Sequence, residues 1–173
     1  MATWDTSMPS NFTDGQVVDE GDLDPIVNNL NFVRYATVFQ GGVRRTTAVG
    51  SITTTETAVL ISPSVTFEAG YLYKIEGMVK WYTNATGTAH IVRVREGSGT
   101  AGAEVQSFAT PFADATGIGY MVPFNVYVKV TGLVTRPYTC TVIRNAGTGS
   151  ITVDTTSQMV ILRSGDNVLM TDV

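Results

Sequence analysis

Histidine and cysteine, the side chains best suited to acid–base and nucleophilic chemistry at neutral pH, occur once each in this chain, as His90 and Cys140. His90 follows the same two-residue alternation as Val92, and Cys140 follows that of Val142. A general base needs a second titratable group positioned with it, and a reactive thiol needs surroundings that lower its pKa. The sequence indicates neither, so we interpret both residues as packing residues and predict that no residue is catalytic.

The carboxylates do not form a recognisable site either. A glycosidase needs two carboxyl groups facing each other across a groove, but strand alternation places Glu76 with Lys74 and Lys80 on a solvated face. The acidic run at residues 19–24 lacks the ordered calcium-loop ligands and the distal glutamate, which favours helix capping. The glycine-rich run at 97–102 contains no lysine and precedes no helix, which favours a hairpin loop over a phosphate cradle. We therefore expect no metal and no cofactor.

Charge divides the chain into two parts. Residues 1–33 contain six acidic residues and no Lys or Arg, whereas all eleven basic residues and nine acidic ones follow from Arg34 onward. An acidic chain with a net charge of −4 lacks the dense basic face that nucleic-acid binding demands. The apolar runs are interrupted every few residues, so we expect no membrane partner. An acidic arm joined to a weakly basic body indicates that the arm contacts another molecule.

The arm itself contains one helical pattern. Residues 1–16 show no periodicity and are expected to be extended, while Leu23, Ile26, Val27 and Leu30 have the spacing of an amphipathic helix. Pro25 is tolerated in a first turn, and the neighbouring aspartates can cap it. A helix of two to three turns is marginal alone in water, so it must pack on something. We predict an N-terminal extended arm with one short α-helix at residues 1–34.

From Tyr35 the period becomes two, which is typical of strands with one buried face. Long strands are expected at 71–82 and 124–130, and shorter ones at 45–49, 57–61, 65–68, 104–109 and 158–163, with turns that include Gly41-Gly42. Eight to ten strands without intervening helices predict an all-β, antiparallel β-sandwich at residues 35–165, followed by a C-terminal tail at 166–173. Periodicity does not decide between an immunoglobulin-like and a jelly-roll sandwich. Long strands and the absence of a Cys–Trp–Cys pattern favour the jelly roll.

Two groups of side chains are candidates for contacts. Tyr127 and Lys129 lie opposite in parity to the core face of their strand, which predicts an oligomer interface on that sheet face. We interpret Trp81, Tyr82 and Tyr127 as exposed aromatic residues that could stack on sugar rings. The first group predicts a homo-oligomer, and the second predicts a contact with a host surface glycan.

Two segments resemble parts of bacteriophage proteins. The segment from Trp4 to Arg34 resembles the N-terminal segment of small virion proteins of tailed bacteriophages. The segments 67–77 and 91–97 are similar to strands of jelly-roll modules in phage tail and head-fibre proteins, which are related to the tumour-necrosis-factor-like fold. The residues that carry the first resemblance are Trp4, Phe12, Asp14, Gly15, Val17, Val18, Leu23, Asn28, Asn29 and Leu30.

The resemblance implies a non-catalytic virion protein that is assembled in the host cytoplasm, with other phage structural proteins of the capsid or tail as partners and a trimer as the oligomer. It implies an anchor formed by Trp4, Phe12, Val17, Val18, Leu23, Ile26, Val27 and Leu30. No shaft-type repeat separates arm and sandwich, which favours a head decoration or head-fibre protein. The alternatives are a minor tail or receptor-binding protein and a carbohydrate-binding module.

Overall fold

Alternating apolar residues form twelve strands in the computed structural model, which describes residues 38–110 and 112–166. Valine, isoleucine, threonine and aromatic residues dominate these strands, as expected for side chains that fit a pleated, half-buried surface. The strands are β1 (Val38–Arg44), β2 (Val49–Ile52), β3 (Thr57–Ile61), β4 (Val65–Phe67), β5 (Tyr71–Thr83), β6 (Ala89–Glu96), β7 (Glu104–Ala109), β8 (Tyr120–Lys129), β9 (Val134–Arg136), β10 (Tyr138–Ala146), β11 (Ile151–Val153) and β12 (Gln158–Asp166).

The strand pairing identifies the sandwich as a jelly roll. In the first sheet β1 pairs with β12, and β12 pairs with β5, which pairs on its other side with β8. β11 also pairs with β5, and β2 pairs with β11. The second sheet has the order β3-β10-β6-β7. The antiparallel pairs are nested along the chain: β1 with β12, β3 with β10, β5 with β8, and β6 with β7. These pairs alternate between the two sheets, which is the double Greek-key wiring of a jelly roll. The predicted all-β, antiparallel fold of jelly-roll type is confirmed.

The core lies between the two sheets and is built by the predicted alternation. On β8 the buried and exposed positions alternate from Phe124 to Lys129, and β5 buries its odd-numbered residues from Tyr73 to Trp81, except at the half-buried Gly77. The largest side chains with essentially no exposure are Trp81, Tyr73, Tyr138, Phe67, Leu60, Ile75, Ile151, Met159 and Ile161.

Two local predictions near the start of the sandwich are wrong. Gly41 and Gly42 do not form a turn but lie inside β1, and residues 45–48 connect β1 to β2 instead of forming a strand. A Cβ at Gly41 would lie 3.0 Å from Cγ2 of Val65 and 3.2 Å from Cγ of Pro63. Close packing therefore explains the glycine at position 41. A sequence pattern does not distinguish a glycine needed for close packing from one needed for a turn. The predicted arm and helix at 1–34 and the tail residues 167–173 lie outside the described residues.

The described part of the chain enters and leaves at the same end of the sandwich. Val38 of β1 pairs with Arg163, and Asp166 of β12 pairs with Tyr71. We call this end the base. The opposite end, which we call the tip, contains the loops at 84–88, 112–119 and 147–150. Backbone hydrogen bonds such as Gly87 N to Ala113 O, 2.8 Å, join these loops.

Candidate functional site

The predicted virion-anchor residues lie outside the described part of the structure. The structure therefore gives no position for Trp4, Phe12, Val17, Val18, Leu23, Ile26, Val27 or Leu30.

His90 lies in the core near the tip. Its side chain is fully buried, its ring meets that of Trp81 edge to face at a centroid distance of 4.0 Å, and its Nδ1 lies 3.0 Å from Oγ1 of Thr110. Burial lowers the pKa of His90 to about 3, so the imidazole is neutral at physiological pH. The expected packing position is confirmed, and the ring has no access to a substrate in solution.

Cys140 occupies the equivalent kind of position on β10. Its side chain is fully buried among core residues, and burial raises the pKa of the thiol well above its ordinary value. A buried thiol that resists ionisation is a packing residue, because the thiolate is the nucleophilic form.

The prediction that Trp81 is an exposed ligand contact is wrong. Trp81 shares its parity on β5 with Tyr73 and Ile75, so it points into the core, where its ring also stacks on Tyr120 at 4.8 Å. Its neighbour Tyr82 has the opposite parity and lies half-buried on the outer surface. Of the two residues of that prediction, only Tyr82 can reach a ligand outside the protein.

The hydroxyl of Tyr82 already has an internal partner. It donates a hydrogen bond of 2.9 Å to Oδ2 of Asp154, and Nζ of Lys80 lies 3.2 Å from the same oxygen. The hydrogen bonds from Tyr82 and Lys80 lower the pKa of Asp154 to about 2. These three residues fix the bend between β11 and β12, which makes a structural role for Tyr82 the simpler explanation.

A carboxylate network on the outer face of the second sheet could not be identified from the sequence. Glu56, from the β2–β3 connection, accepts two hydrogen bonds from Arg95 (2.6 and 2.9 Å) and one from Arg93 (2.8 Å). Thr141 donates a further one to the same carboxylate, and Oε2 of Glu104 lies 3.0 Å from Nε of Arg93. The Arg-Val-Arg alternation of β6 indicates a charged outer face, but it does not indicate which distant carboxylate neutralises it.

This network covers part of the outer face of the second sheet. Burial alone raises the pKa of Glu56, but the hydrogen bonds from Arg95, Thr141 and Arg93 outweigh it and lower the pKa to about 2. Thr139 on the same face is also fully buried, and its hydroxyl donates a hydrogen bond to Gly97 O (2.7 Å) in the β6–β7 loop. The second sheet thus covers part of its outer face with its own residues.

The first sheet presents a different outer face. Tyr127 of β8 is 48% exposed and pairs in register with Lys74, while Lys129 pairs with Leu72. Nζ of Lys74 lies 2.5 Å from Oε2 of Glu76, and this hydrogen bond raises the pKa of Lys74. Both predicted interface residues therefore lie on the surface of the first sheet, beside one exposed ion pair.

An apolar groove opens where the edge strands of the two sheets meet, between β7 and β8. Its volume is about 490 Å³, and Phe108 and Phe124 meet inside it at a ring-centroid distance of 6.2 Å. Pro123 is exposed on β8, whereas Phe124 is buried. The residues that line the groove are Glu76, Gly77, Phe108, Pro123, Phe124 and Asn125.

Neither a metal centre nor a membrane-spanning helix is found in the described part of the chain. Across residues 38–110 and 112–166 no three His, Cys, Asp or Glu side chains cluster closely enough to hold a metal ion. In the same residues no helix is long and apolar enough to cross a membrane.

Comparisons with known proteins reveal distant structural likenesses. No protein-family model matches the chain, and no curated protein matches it. One similar structure is the VP2 subviral particle of infectious bursal disease virus, with 16% identity and a TM-score of 0.39 over 76% of this chain and 41% of the VP2 chain. This chain thus matches less than half of the VP2 length.

A second similar structure is Eiger TNF from S. frugiperda, with 8% identity and a TM-score of 0.40 over 79% of this chain and 99% of that chain. A third is a CBM4 structure, with 10% identity and a TM-score of 0.35 over 75% of this chain and 91% of that chain. At these scores the likenesses bear neither on function nor on assembly. The fold assignment rests on the nested strand pairing, and it places this chain among antiparallel jelly-roll sandwiches.

Proposed function

We propose that this chain is a non-catalytic structural protein of a phage virion. In this proposal residues 1–34 attach it to the particle, and the jelly roll self-associates and is displayed on the surface as a head decoration or head-fibre protein. The resemblance of the segment from Trp4 to Arg34 to phage virion proteins supports the virion role. The separation of an acidic arm from a body of opposite net charge supports attachment through the arm.

The observation that carries the proposal is the position of the chain's two connections at the base. The arm joins β1 at Val38, beside Arg163 of β12, while the loops of the tip lie at the far end of the same strands. A sandwich held through a segment before Val38 is fixed at its base. Its tip and most of both sheet faces then point away from the attachment point, which is the arrangement that a displayed protein needs.

The environments of His90 and Cys140 support the non-catalytic part of the proposal. Both side chains are fully buried, and burial keeps each in its neutral form. The groove between β7 and β8 contains one carboxylate, Glu76, beside Asn125. Acid–base catalysis by carboxyl groups needs a second titratable group with a different environment, and the groove lining does not supply one.

A receptor-binding role is the second candidate, because the tip exposes apolar side chains. Phe112 is 64% exposed and Ile118 is 54% exposed, and both lie in the loop between β7 and β8 at the end remote from the base. The glycan-binding alternative has less support. Trp81 is buried and the Tyr82 hydroxyl is engaged by Asp154, so Tyr127, at 48% exposure, is the most accessible of the three predicted aromatics.

The test compares full-length protein variants for incorporation into particles. Leu23→Asp places a charge on the apolar stripe of the predicted helix, and Leu133→Asp is the matched control, because Leu133 is 76% exposed on the body. We expect Leu23→Asp to abolish co-sedimentation with particles while its thermal unfolding matches that of the wild type. Leu133→Asp should incorporate normally. Incorporation of Leu23→Asp at wild-type occupancy would contradict attachment through the arm.

A further inference from the structure

We propose that acid opens the tip of the sandwich, because uptake of a proton by His90 releases the loop at 112–119 from the end of the core. At neutral pH the same histidine, in its neutral form, holds this loop closed. The loop carries the exposed Phe112 and Ile118, so its opening rearranges the apolar surface of the tip. This opening concerns the body alone and goes beyond the proposed function, because it requires nothing of the arm.

His90 lies where the 112–119 loop leaves the core. It is the second residue of β6, and its backbone N–H donates a hydrogen bond of 3.0 Å to Oγ1 of Thr110. Its carbonyl oxygen accepts a hydrogen bond of 3.0 Å from Thr110 N, and its Nδ1 lies 3.0 Å from the same hydroxyl oxygen. Thr110 is the last described residue before Phe112. These contacts therefore join His90 to the point where the loop begins.

The ring of His90 is also linked to the far end of the loop. Trp81, which His90 meets edge to face, stacks on Tyr120 at a centroid distance of 4.8 Å. The hydroxyl of Tyr120 donates a hydrogen bond to Asp114 and accepts one of 3.0 Å from the backbone N–H of Ala115. Ring contacts and hydrogen bonds thus connect both ends of the loop through the buried imidazole.

Backbone hydrogen bonds attach the loop to the end of the sandwich. Ala113 N donates to Thr88 O at 2.9 Å, and Gly117 N donates to Thr83 O at 3.0 Å. Neither bond belongs to a ladder between strands, so both can break while the two sheets stay paired. Local opening of such a segment needs less free energy than global unfolding. The loop can therefore expose His90 without separating the sheets.

The closed loop leaves a protonated His90 without the hydrogen bonds that it needs. Nδ1 has Thr110 as its partner, whereas Nε2 is buried and has no hydrogen-bond partner among residues 38–110 and 112–166. A protonated imidazole donates from both nitrogens, and a buried charged donor without a partner is costly. Protonation in the closed state would leave the Nε2–H unsatisfied, and water satisfies it once the loop opens.

The ionisable groups around His90, among residues 38–110 and 112–166, do not compensate a charge on its ring. On β10, Arg144 pairs in register with His90, and this cation donates a hydrogen bond of 2.6 Å to a carbonyl oxygen of the 147–150 loop. The carboxylate of Asp114 is exposed and accepts the hydroxyl of Tyr120 on β8. The side chains that contact His90 from β5 and from the end of β7 are uncharged.

A falling pH therefore favours the open loop. Burial lowers the pKa of His90 to about 3 in the closed protein, whereas an exposed imidazole has the ordinary value of 6.5. The open state binds the proton first as pH falls, so the opening equilibrium constant rises by about tenfold per pH unit between roughly pH 6 and 3.5. From pH 7 to pH 4.5 the expected increase is about 70-fold.

Amide hydrogen exchange of the full-length protein from pH 7 to pH 4.5 tests the proposal. The protection factors of Ala113 and Gly117 should fall by about 70-fold over this range. At each pH they should stay well below that of Ser62, whose N–H donates to Tyr138 O (2.9 Å) at the base. His90→Gln should remove the fall with pH, because glutamine does not take up a proton.

Tyr120→Phe is the matched control. It removes the hydrogen bonds to Asp114 and Ala115 but leaves His90 in place, so it should lower loop protection by a similar factor at every pH and retain the 70-fold fall. Loop protection that does not change with pH in the wild type would overturn the proposal, whether or not the variants fold. A fall that persists in His90→Gln would also overturn it, as would loop amides protected as strongly as Ser62, because the opening would then be global.

Discussion

Replacing Glu56 with glutamine tests whether the carboxylate network holds the second sheet together. The substitution keeps the shape of the side chain but removes the charge that accepts hydrogen bonds from Arg93, Arg95 and Thr141. Hydrogen bonds to a charged group contribute about 1.5–3 kcal/mol, and Glu104 retains part of the compensation for the two arginines. We expect Glu56→Gln to destabilise the fold by roughly 2 kcal/mol at pH 7. For a domain of this size, that lowers Tm by about 6–10 °C.

The pH dependence of the same variant distinguishes charge from shape. The pKa of Glu56 is about 2 in the folded protein and 4.5 in its ordinary state, so the unfolded chain takes up the proton first as pH falls. The stabilisation by Glu56 is therefore complete above pH 4.5 and is lost progressively between pH 4.5 and 2. The difference in Tm between wild type and Glu56→Gln should shrink across that range, because Glu56 is the titrating group that the substitution removes.

Scanning calorimetry of both proteins from pH 7 to pH 2.5 makes this measurement. Glu68→Gln is the matched control, since Glu68 forms an exposed contact of 3.5 Å with Arg163, and exposed pairs contribute about 0–1 kcal/mol. If Glu56→Gln unfolds like the wild type at pH 7, or if the difference in Tm is independent of pH, the network does not contribute as argued.

Three further predictions concern the core. Gly77→Ala should lower the free energy of unfolding by about 1–3 kcal/mol, because the added Cβ would lie 2.3 Å from Gln158 O. Gly132→Ala is the control, because Gly132 has open space around it and the substitution should change the free energy of unfolding little. Urea unfolding compares the two variants, and equal effects would contradict the role of close packing at Gly77. The pKa of His90 falls from 6.5 to about 3 on folding, so this residue should favour the unfolded state increasingly as pH falls from 6.5 to 3. His90→Gln should therefore flatten the dependence of Tm on pH in that range. An unchanged slope would contradict this contribution of His90. The Cys140 thiol should react with an aromatic disulfide reagent only after denaturation, and rapid reaction in the native protein would refute its burial.

The alternation of apolar residues was sufficient to predict the fold class and most of the core. The period-two pattern of β5 and β8 correctly separates buried from exposed positions, because side-chain direction in a strand depends only on parity. The same rule already places Trp81 on the buried face with Ile75. An aromatic residue type alone suggests a ligand contact for Trp81, which is wrong because the parity of β5 places its ring in the core.

Features that depend on long-range contacts could not be predicted. Glu56 meets Arg93 and Arg95 across 37 and 39 residues, and no local pattern selects it from the other carboxylates. Gly42 and Gly77 suggest turns or weak points in a sequence, yet each makes room for a neighbouring aromatic ring. The groove likewise forms only when β7 and β8, from different sheets, come together.

Mass spectrometry of purified phage particles, separated into heads and tails, is the most direct test of the proposed virion role. Peptides of this chain should occur in the head fraction at an abundance comparable to that of other structural proteins. These peptides should persist after the salt washes that remove adsorbed proteins. Absence of the chain from both fractions would contradict the central claim, and its presence in tails alone would contradict the head assignment and favour the receptor-binding role.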